Sequence, residues 1–216
     1  LREAREESLR LSARVHELEV ALEQRQHLAQ QAARLRELLD LRAVLPLETI
    51  AAELSASEGS PFASTVLLNK GRADGVALDD PVISTSGVVG RVIALGPHAA
   101  KVQLILDRDS GVGVVVERSR TMGVLEGLRA DSESGDLPMR FVPALADVVV
   151  GDVVVTSGLD QIYPKGLVIG KVSRVMASTS LVKDVFVAPS ARFHQLEEVL
   201  IVRGATEPGR ALEATP

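Results

Sequence analysis

The protein has 216 residues, of which 46% are hydrophobic and 25% are charged, a composition typical of an ordered chain with one or two small cores. Aromatic residues make up only 2% of the chain and the net charge is -5, which excludes the basic, aromatic-rich face of a nucleic-acid-binding protein. The absence of Cys excludes disulfides, zinc sites with thiolate ligands and a cysteine nucleophile.

The N-terminal segment, residues 1–45, predicts one long α-helix. It contains neither Gly nor Pro and is rich in Leu, Ala, Glu, Gln and Arg, which favour helix. At about 1.5 Å per residue such a helix would be roughly 65 Å long, which is more than one small domain can cover. We therefore expect the helix to need a partner.

Apolar residues along this helix predict a coiled-coil seam. They follow a four-three-four spacing twice, and a one-residue slip between the two halves keeps Arg25 and Arg36 out of the core. The seam residues are Leu11, Val15, Leu18, Leu22, Leu28, Ala32, Leu35 and Leu39. A dimeric coil is the preferred interpretation, and a single amphipathic helix packed on the following domain is the alternative.

From Pro46 to Arg203 the pattern is entirely β. Short runs rich in Val, Ile and Leu alternate with turn signals such as Asp74-Gly75 and Pro164-Lys165-Gly166. Many short strands at this spacing indicate small barrels or a sandwich.

An internal repeat favours two barrels. The segment VISTSGVVGRV, residues 82–92, resembles the longer VVVTSGLDQIYPKGLVIGKV, residues 153–172, and both contain a strand, a Ser-Gly turn and a strand with an internal Gly. A Gly inside a strand marks a bulge or the sharp bend at a barrel corner. The predicted turn and bulge glycines are Gly71, Gly75, Gly87, Gly90, Gly158, Gly166 and Gly170.

The predicted fold is mainly β with a long N-terminal helix. We divide it into a coiled coil (1–45), a first barrel (46–130), a second barrel (131–204) and a disordered tail (205–216). The first strand, residues 49–55, is predicted to belong to either the first or the second barrel.

Two large aromatic residues are candidate partner contacts. The second copy of the repeat carries an extra loop, Leu159–Lys165, that contains Tyr163, the only Tyr of the chain. Inserted loops on a repeated scaffold often bind partners. We predict Tyr163 and Phe62 as contacts, with packing in the core as the alternative for each.

Catalytic motifs are incomplete. The segment Asp109-Ser110-Gly111 resembles the nucleophile region of two-barrel serine proteases, but Arg108 replaces its leading Gly, and Ser157 follows Thr where Asp is expected. Dinucleotide and phosphate-loop fingerprints are missing, and the His residues are too widely spaced for one metal. We predict no enzymatic activity, no cofactor and no metal, and keep a serine hydrolase as an alternative.

The order and spacing of the motifs across the β region resemble the MreC family of bacterial rod shape-determining proteins. The resemblance runs from the helix to about Val202. The matching segments are Ser60-Pro61-Phe62, Leu67 to Gly71, Asp74-Gly75-Val76, Pro81-Val82, Gly87 to Val92, Asp107, Gly151 to Val154, Ser157-Gly158, Pro164 to Leu167 and Gly170 to Val172.

The resemblance implies a scaffold of the cell-elongation complex that organises peptidoglycan synthases. It implies contacts with a class B penicillin-binding transpeptidase, MreD and RodA, an indirect link to MreB, and self-association as a dimer or filament. The resemblance also implies a single membrane anchor and a periplasmic location, and because the chain opens at Leu1 inside a helical pattern, we expect the anchor before Leu1. A periplasmic adaptor of an efflux pump is the other candidate, but such adaptors use a hairpin of two helices.

Overall fold

The computed structural model describes residues 2–44, 47–57, 64–128, 135–176 and 181–204. The predicted helix is present as α1 (Arg2–Val44), and no helix in these ranges is long and apolar enough to cross a membrane. The predicted tail and Phe62 lie outside the described residues. The strands are β1 (Thr49–Ser57), β2 (Thr65–Leu68), β3 (Pro81–Ile83), β4 (Val88–Leu95), β5 (Ala100–Leu104), β6 (Gly111–Val116), β7 (Met122–Glu126), β8 (Leu137–Pro143), β9 (Val153–Thr156), β10 (Val168–Met176), β11 (Val182–Pro189) and β12 (Glu198–Val202).

These strands form two closed antiparallel barrels, which confirms the predicted fold class. The first has the order β1-β12-β3-β4-β5-β2 and the second β10-β11-β8-β7-β6-β9. The last strand, β12, pairs with β1 through Leu200 opposite Ala51 and with β3 through Ile201 opposite Val82. The second barrel is therefore inserted as a whole between β5 and β12 of the first.

The predicted boundary between the barrels is wrong. Strands β6 and β7 precede residue 130 but belong to the second barrel, and β12, predicted in the second unit, closes the first. The strand left open in the prediction, β1, belongs to the first barrel. Hydrophobic patterns locate strands along the chain, whereas pairing between distant strands depends on contacts that no local pattern reports.

The two barrels are equivalent strand by strand. Around the ring, the first barrel reads β1-β12-β3-β4-β5-β2. The second barrel, started at β7, reads β7-β6-β9-β10-β11-β8, and strands at the same place in the two orders correspond. The repeated hairpins are β3–β4 and β9–β10. In the first hairpin the Val92 N–H donates to the Asp80 carbonyl (3.0 Å), and in the second the Val172 N–H donates to the Asp152 carbonyl (2.8 Å).

Alternating side chains fill the inside of each barrel. The first-barrel core includes Leu68, Val82, Val89, Val102 and Ile201, and β12 thus supplies part of it. The second barrel buries the residues Val114, Val116, Leu137, Met139, Val154 and Val187.

Gly90 and Gly170 occupy equivalent places where neighbouring strands approach closely. A Cβ atom on Gly90 would lie 1.9 Å from the Gln103 carbonyl oxygen, and one on Gly170 would lie 2.0 Å from the Ala188 carbonyl oxygen. The register of the repeated hairpin shifts beside both positions, as expected for bulges at barrel corners. The other predicted glycines lie in turns or close backbone contacts, namely Gly71, Gly75, Gly87, Gly158 and Gly166.

Substitution of either corner glycine should destabilise the barrels. We expect Gly90→Ala and Gly170→Ala each to lower the free energy of unfolding by about 1–3 kcal/mol or more, because the new methyl group overlaps a backbone oxygen. Chemical denaturation measures the effect. Gly135→Ala is the matched control, since nothing lies within 4 Å of its Cβ position, and equal losses in all three variants would contradict the geometry.

Candidate protein-binding surface

Exposed apolar side chains cluster on the outside of the second barrel. Phe141, Leu145, Leu181 and Val182 have exposed fractions of 71%, 99%, 93% and 42%. A hydrogen bond from the Ala144 N–H to the Leu181 carbonyl (2.9 Å) brings the two chain segments together. We call these four exposed residues the Phe141 surface. Contiguous exposed apolar groups of this kind mark protein-binding sites.

The backbone at Phe141 is strained. Side chains alternate in a regular strand, yet Met139 and Val142 are both buried, and Phe141 points outward between them with a φ of 63°. This arrangement is a β-bulge, and a left-handed backbone costs a residue with a Cβ about 1–2 kcal/mol. Strain at an exposed aromatic side chain makes Phe141 a candidate functional residue.

The charged groups beside the Phe141 surface are already paired. Arg140 contacts Glu126 and Asp184, each at 3.3 Å. The Lys183 ammonium donates to the Ala146 carbonyl at 2.7 Å. The surface therefore offers an apolar contact whose neighbouring Arg140 and Lys183 already have partners within the barrel.

Arg118 braces the segment that connects β8 to β9. Its guanidinium donates to both carboxylate oxygens of Asp152, at 2.8 and 2.9 Å, and also to Asp147. Asp152 accepts a further hydrogen bond from the Val149 N–H at 3.0 Å. The hydrogen bonds from Arg118 lower the pKa of Asp147 and of Asp152 below the ordinary value of 3.8. The brace thus fixes the backbone that begins two residues after Leu145.

Asp80 is the first-barrel counterpart of Asp152. It also precedes the first strand of its hairpin, and it accepts the Ala77 N–H at 2.8 Å. Burial raises the pKa of Asp80, while the Ala77 hydrogen bond and the charge of Arg203 act in the opposite direction. Both turns therefore share a backbone hydrogen bond to the carboxylate, and the turn of the second barrel has a paired arginine in addition.

The prediction that Tyr163 is a partner contact is wrong. Its side chain is 3% exposed, so it packs inside the protein. The physical reason is that Asp160 accepts hydrogen bonds from the N–H groups of Ile162 and Tyr163, both at 3.1 Å, and thereby folds the inserted loop back.

The predicted seam of α1 is exposed along the helix. The side chains of Val15, Leu18, Leu22, Leu28, Leu35 and Leu39 have exposed fractions between 42% and 63%. Ala32 is half-buried, and the side chain of Leu11 lies outside the described part of the helix. A row of exposed apolar residues on a helix of 43 residues gains free energy by packing against another helix.

The two serines considered as nucleophiles both lie in turns. The Ser110 N–H donates to the Asp107 carbonyl at 2.8 Å. The Ser157 hydroxyl oxygen accepts the Leu159 N–H at 3.3 Å. The repeated Thr-Ser-Gly of the two hairpins is therefore a repeated turn.

Sequence reasoning does not identify Phe141 as a surface residue. The run PMRFVP predicts an ordinary strand, in which alternation would place residue 141 inward with Met139. Met139 and Val142 are both buried although they are three residues apart, and this spacing is the signal of the bulge. It can be recognised only when the inward positions of the neighbouring strands are known.

The fold and the Phe141 surface define a tandem-barrel protein with an exposed apolar face on its second barrel. A family model described as "Rod shape-determining protein MreC, barrel core" matches residues 55–203. The match covers more than half of the chain, and the chain therefore belongs to the MreC family.

Relatives and solved structures agree with this assignment. The chain is 33% identical over 181 residues to the cell shape-determining protein MreC of Escherichia coli (strain K12), covering 83% of this chain and 48% of that relative. A solved structure named MreC matches with a TM-score of 0.75 and 31% identity, over 81% of this chain and 98% of that one. The crystal structure of MreC from Pseudomonas aeruginosa matches with a TM-score of 0.65 and 30% identity, over 72% and 99%.

The chain spans about half the length of this Escherichia coli relative. A more distant structure, a complex between penicillin-binding protein PBP2 and MreC from Helicobacter pylori, shares the fold with a TM-score of 0.56 and 16% identity, over 72% of this chain and 99% of that one.

Removal of the Asp152 charge should weaken the second barrel in a pH-dependent way. We expect Asp152→Asn to lower the melting temperature at pH 7, because Arg118 loses its bidentate partner. The folded-state pKa of Asp152 is lowered, so its stabilisation is present above the ordinary value of 3.8 and is lost as the pH falls through the lowered pKa. The difference between wild type and variant should therefore shrink below about pH 4.

Asp109→Asn is the control for this prediction, because it removes a carboxylate from an exposed pair with Arg108. It should change the melting temperature little at either pH. Equal melting temperatures of wild type and Asp152→Asn at pH 7 would show that the brace contributes no net stability.

Proposed function

We propose that this chain is a scaffold of the bacterial cell-elongation machinery that maintains rod shape by holding a peptidoglycan synthase against its second barrel. The observation that carries the proposal is Phe141, which is 71% exposed on a strained bulge of the second barrel. The partner is a class B penicillin-binding transpeptidase. The complex of PBP2 with a related MreC supports this choice of partner.

The chemistry of the Phe141 surface fits a preformed protein-protein contact. Exposed aromatic residues supply much of the binding free energy where they fill a pocket of the partner. The bulge already directs Phe141 outward, so little conformational entropy is lost when the partner binds. Because Arg140 and Lys183 have partners within the barrel, the complementary surface should be apolar and not strongly charged.

A second copy of the chain is the proposed partner of α1. The exposed seam from Val15 to Leu39 supports a coiled coil, which yields a dimer or, with further contacts, a filament. Such a coil would hold two pairs of barrels together and so increase the effective concentration of synthase-binding surfaces.

The remaining expectations follow from family membership. They are contacts with MreD and RodA, an indirect link to MreB, and a periplasmic location with a membrane anchor before Leu1. Two observations favour the scaffold over its alternatives. Among the described residues α1 is the only α-helix, whereas an efflux adaptor needs a helical hairpin, and Ser110 and Ser157 serve as turn residues.

The binding proposal predicts that one substitution will separate stability from function. Phe141→Asn should raise the free energy of unfolding by about 0.5–1.5 kcal/mol, because Asn tolerates a positive φ better than Phe. The same variant should weaken binding to the periplasmic part of the transpeptidase roughly tenfold or more, because it removes the aromatic anchor. Interferometry at physiological salt measures the binding, and denaturation measures the stability.

Leu78→Asn is the matched control for binding, since Leu78 is a 54% exposed apolar residue of the first barrel. It should leave the affinity unchanged. If wild type binds and Phe141→Asn binds equally well, the partner uses another face of the molecule. If wild type itself fails to bind while folded by circular dichroism, the proposed partner is wrong for this isolated part of the protein.

The self-association proposal predicts a position-specific effect on α1. We expect Leu22→Glu to raise the dimer dissociation constant roughly tenfold or more, because a charge would enter the apolar seam. Sedimentation velocity over a concentration series measures the change. Val20→Glu is the control, as Val20 is also exposed but lies off the seam, and similar dissociation of both variants would contradict the assigned seam.

A further inference from the structure

The two repeated hairpins meet where the barrels adjoin. The turn of the first hairpin contains Gly87, and a Cβ atom there would lie 2.8 Å from the carbonyl oxygen of Val168 and 3.5 Å from the Cβ of Ser190. Val168 begins β10 of the second barrel, and Ser190 follows β11. The first-barrel turn therefore packs directly on the backbone of the second barrel.

Apolar residues beside this turn are buried on the outside of the first barrel. Val82 and Val89 belong to the first-barrel core. Their neighbours Ile83 and Val88 form a cross-strand pair, and they are 3% and 0% exposed although alternation directs them away from that core. The outer face of the hairpin is thus covered and not solvated.

The inserted loop Leu159–Lys165 is built to hold one conformation on the second barrel. Asp160 accepts the Gly113 N–H of β6 at 3.0 Å and also caps the loop backbone at Tyr163. The Thr156 hydroxyl donates to the Pro164 carbonyl, and the same oxygen accepts the Leu167 N–H at 2.9 Å. The loop is therefore tied near one end to β6 and near the other end to β9.

Tyr163 is buried in this loop, and Val168, on which the Gly87 turn packs, follows it by five residues. The Tyr163 side chain is 3% exposed, and burial raises its pKa. The charged groups that act on its hydroxyl are Asp160 of its own loop and Arg91 and Asp79 of the first barrel. Arg91 and Asp79 are themselves paired at 2.7 Å, which orders both groups beside the first hairpin.

We propose that the inserted loop Leu159–Lys165 is a lock that holds the two barrels in one orientation, with Tyr163 as its positioning residue and Gly87 as the site where the other hairpin docks. This role goes beyond the proposed scaffold function, because it concerns the geometry between the barrels and requires no partner. The repeat contains the loop only in its second copy.

Distance measurements within the chain test the lock. Because the chain contains no Cys, spin labels on His98→Cys in the first barrel and Met122→Cys in the second report one defined distance. Both sites are exposed, and dilution into unlabelled chain removes distances between copies. We expect a single narrow distance distribution by pulsed electron resonance for the otherwise wild-type chain.

Tyr163→Ala should abolish that narrow distribution. Leu145→Ala truncates a side chain that is 99% exposed and should leave the distribution unchanged. Gly87→Ala should shift the mean distance, because its methyl group would overlap the Val168 carbonyl oxygen. If Tyr163→Ala fails to fold by circular dichroism, the distance measured in Gly87→Ala tests the proposal instead. A narrow, unshifted distance in a folded Tyr163→Ala chain, or in Gly87→Ala where only that variant folds, would overturn the proposal.

Discussion

Closure of the first barrel by β12 is the constraint on which the rest of the structure depends. Five of its strands precede the second barrel in the chain and the sixth follows it, so the first barrel is complete only when both ends of the β region meet. Ile201 and Val199 then fill the first-barrel core. Because the second barrel is tied to the first at two points, its orientation is restricted by the covalent chain before any side chain contributes.

The repeated unit serves different purposes in the two barrels. Its corner glycines, Gly90 and Gly170, let strands approach within contact distance of a backbone oxygen, and its carboxylates, Asp80 and Asp152, cap the same turn. The second copy adds the inserted loop, and the second barrel also carries the strained Phe141. A stable repeated framework thus supports a costly local conformation, which is the usual relation between a scaffold and its binding residues.

Local patterns in the sequence predict the helix, the strands, the repeat and the family. Gly and Pro punctuate the strands clearly, and the absence of both over residues 1–45 is sufficient to recognise α1. The assignment of β6, β7 and β12 to barrels failed because equivalent rings give equivalent local patterns. The sequence predicts an exposed Tyr163 and an inward Phe141, whereas the structure buries Tyr163 and exposes Phe141. A loop can fold inward and a bulge can turn a strand residue outward, and both depend on packing between distant parts of the chain.

Amide hydrogen exchange on the chain with and without residues 198–216 tests the central claim most directly. If β12 closes the first barrel, its removal should abolish protection in β1 to β5 while β6 to β11 keep theirs, because the second barrel contains all six of its own strands. Retained protection in β1 to β5 would contradict the account, since the first barrel would then be stable without its last strand.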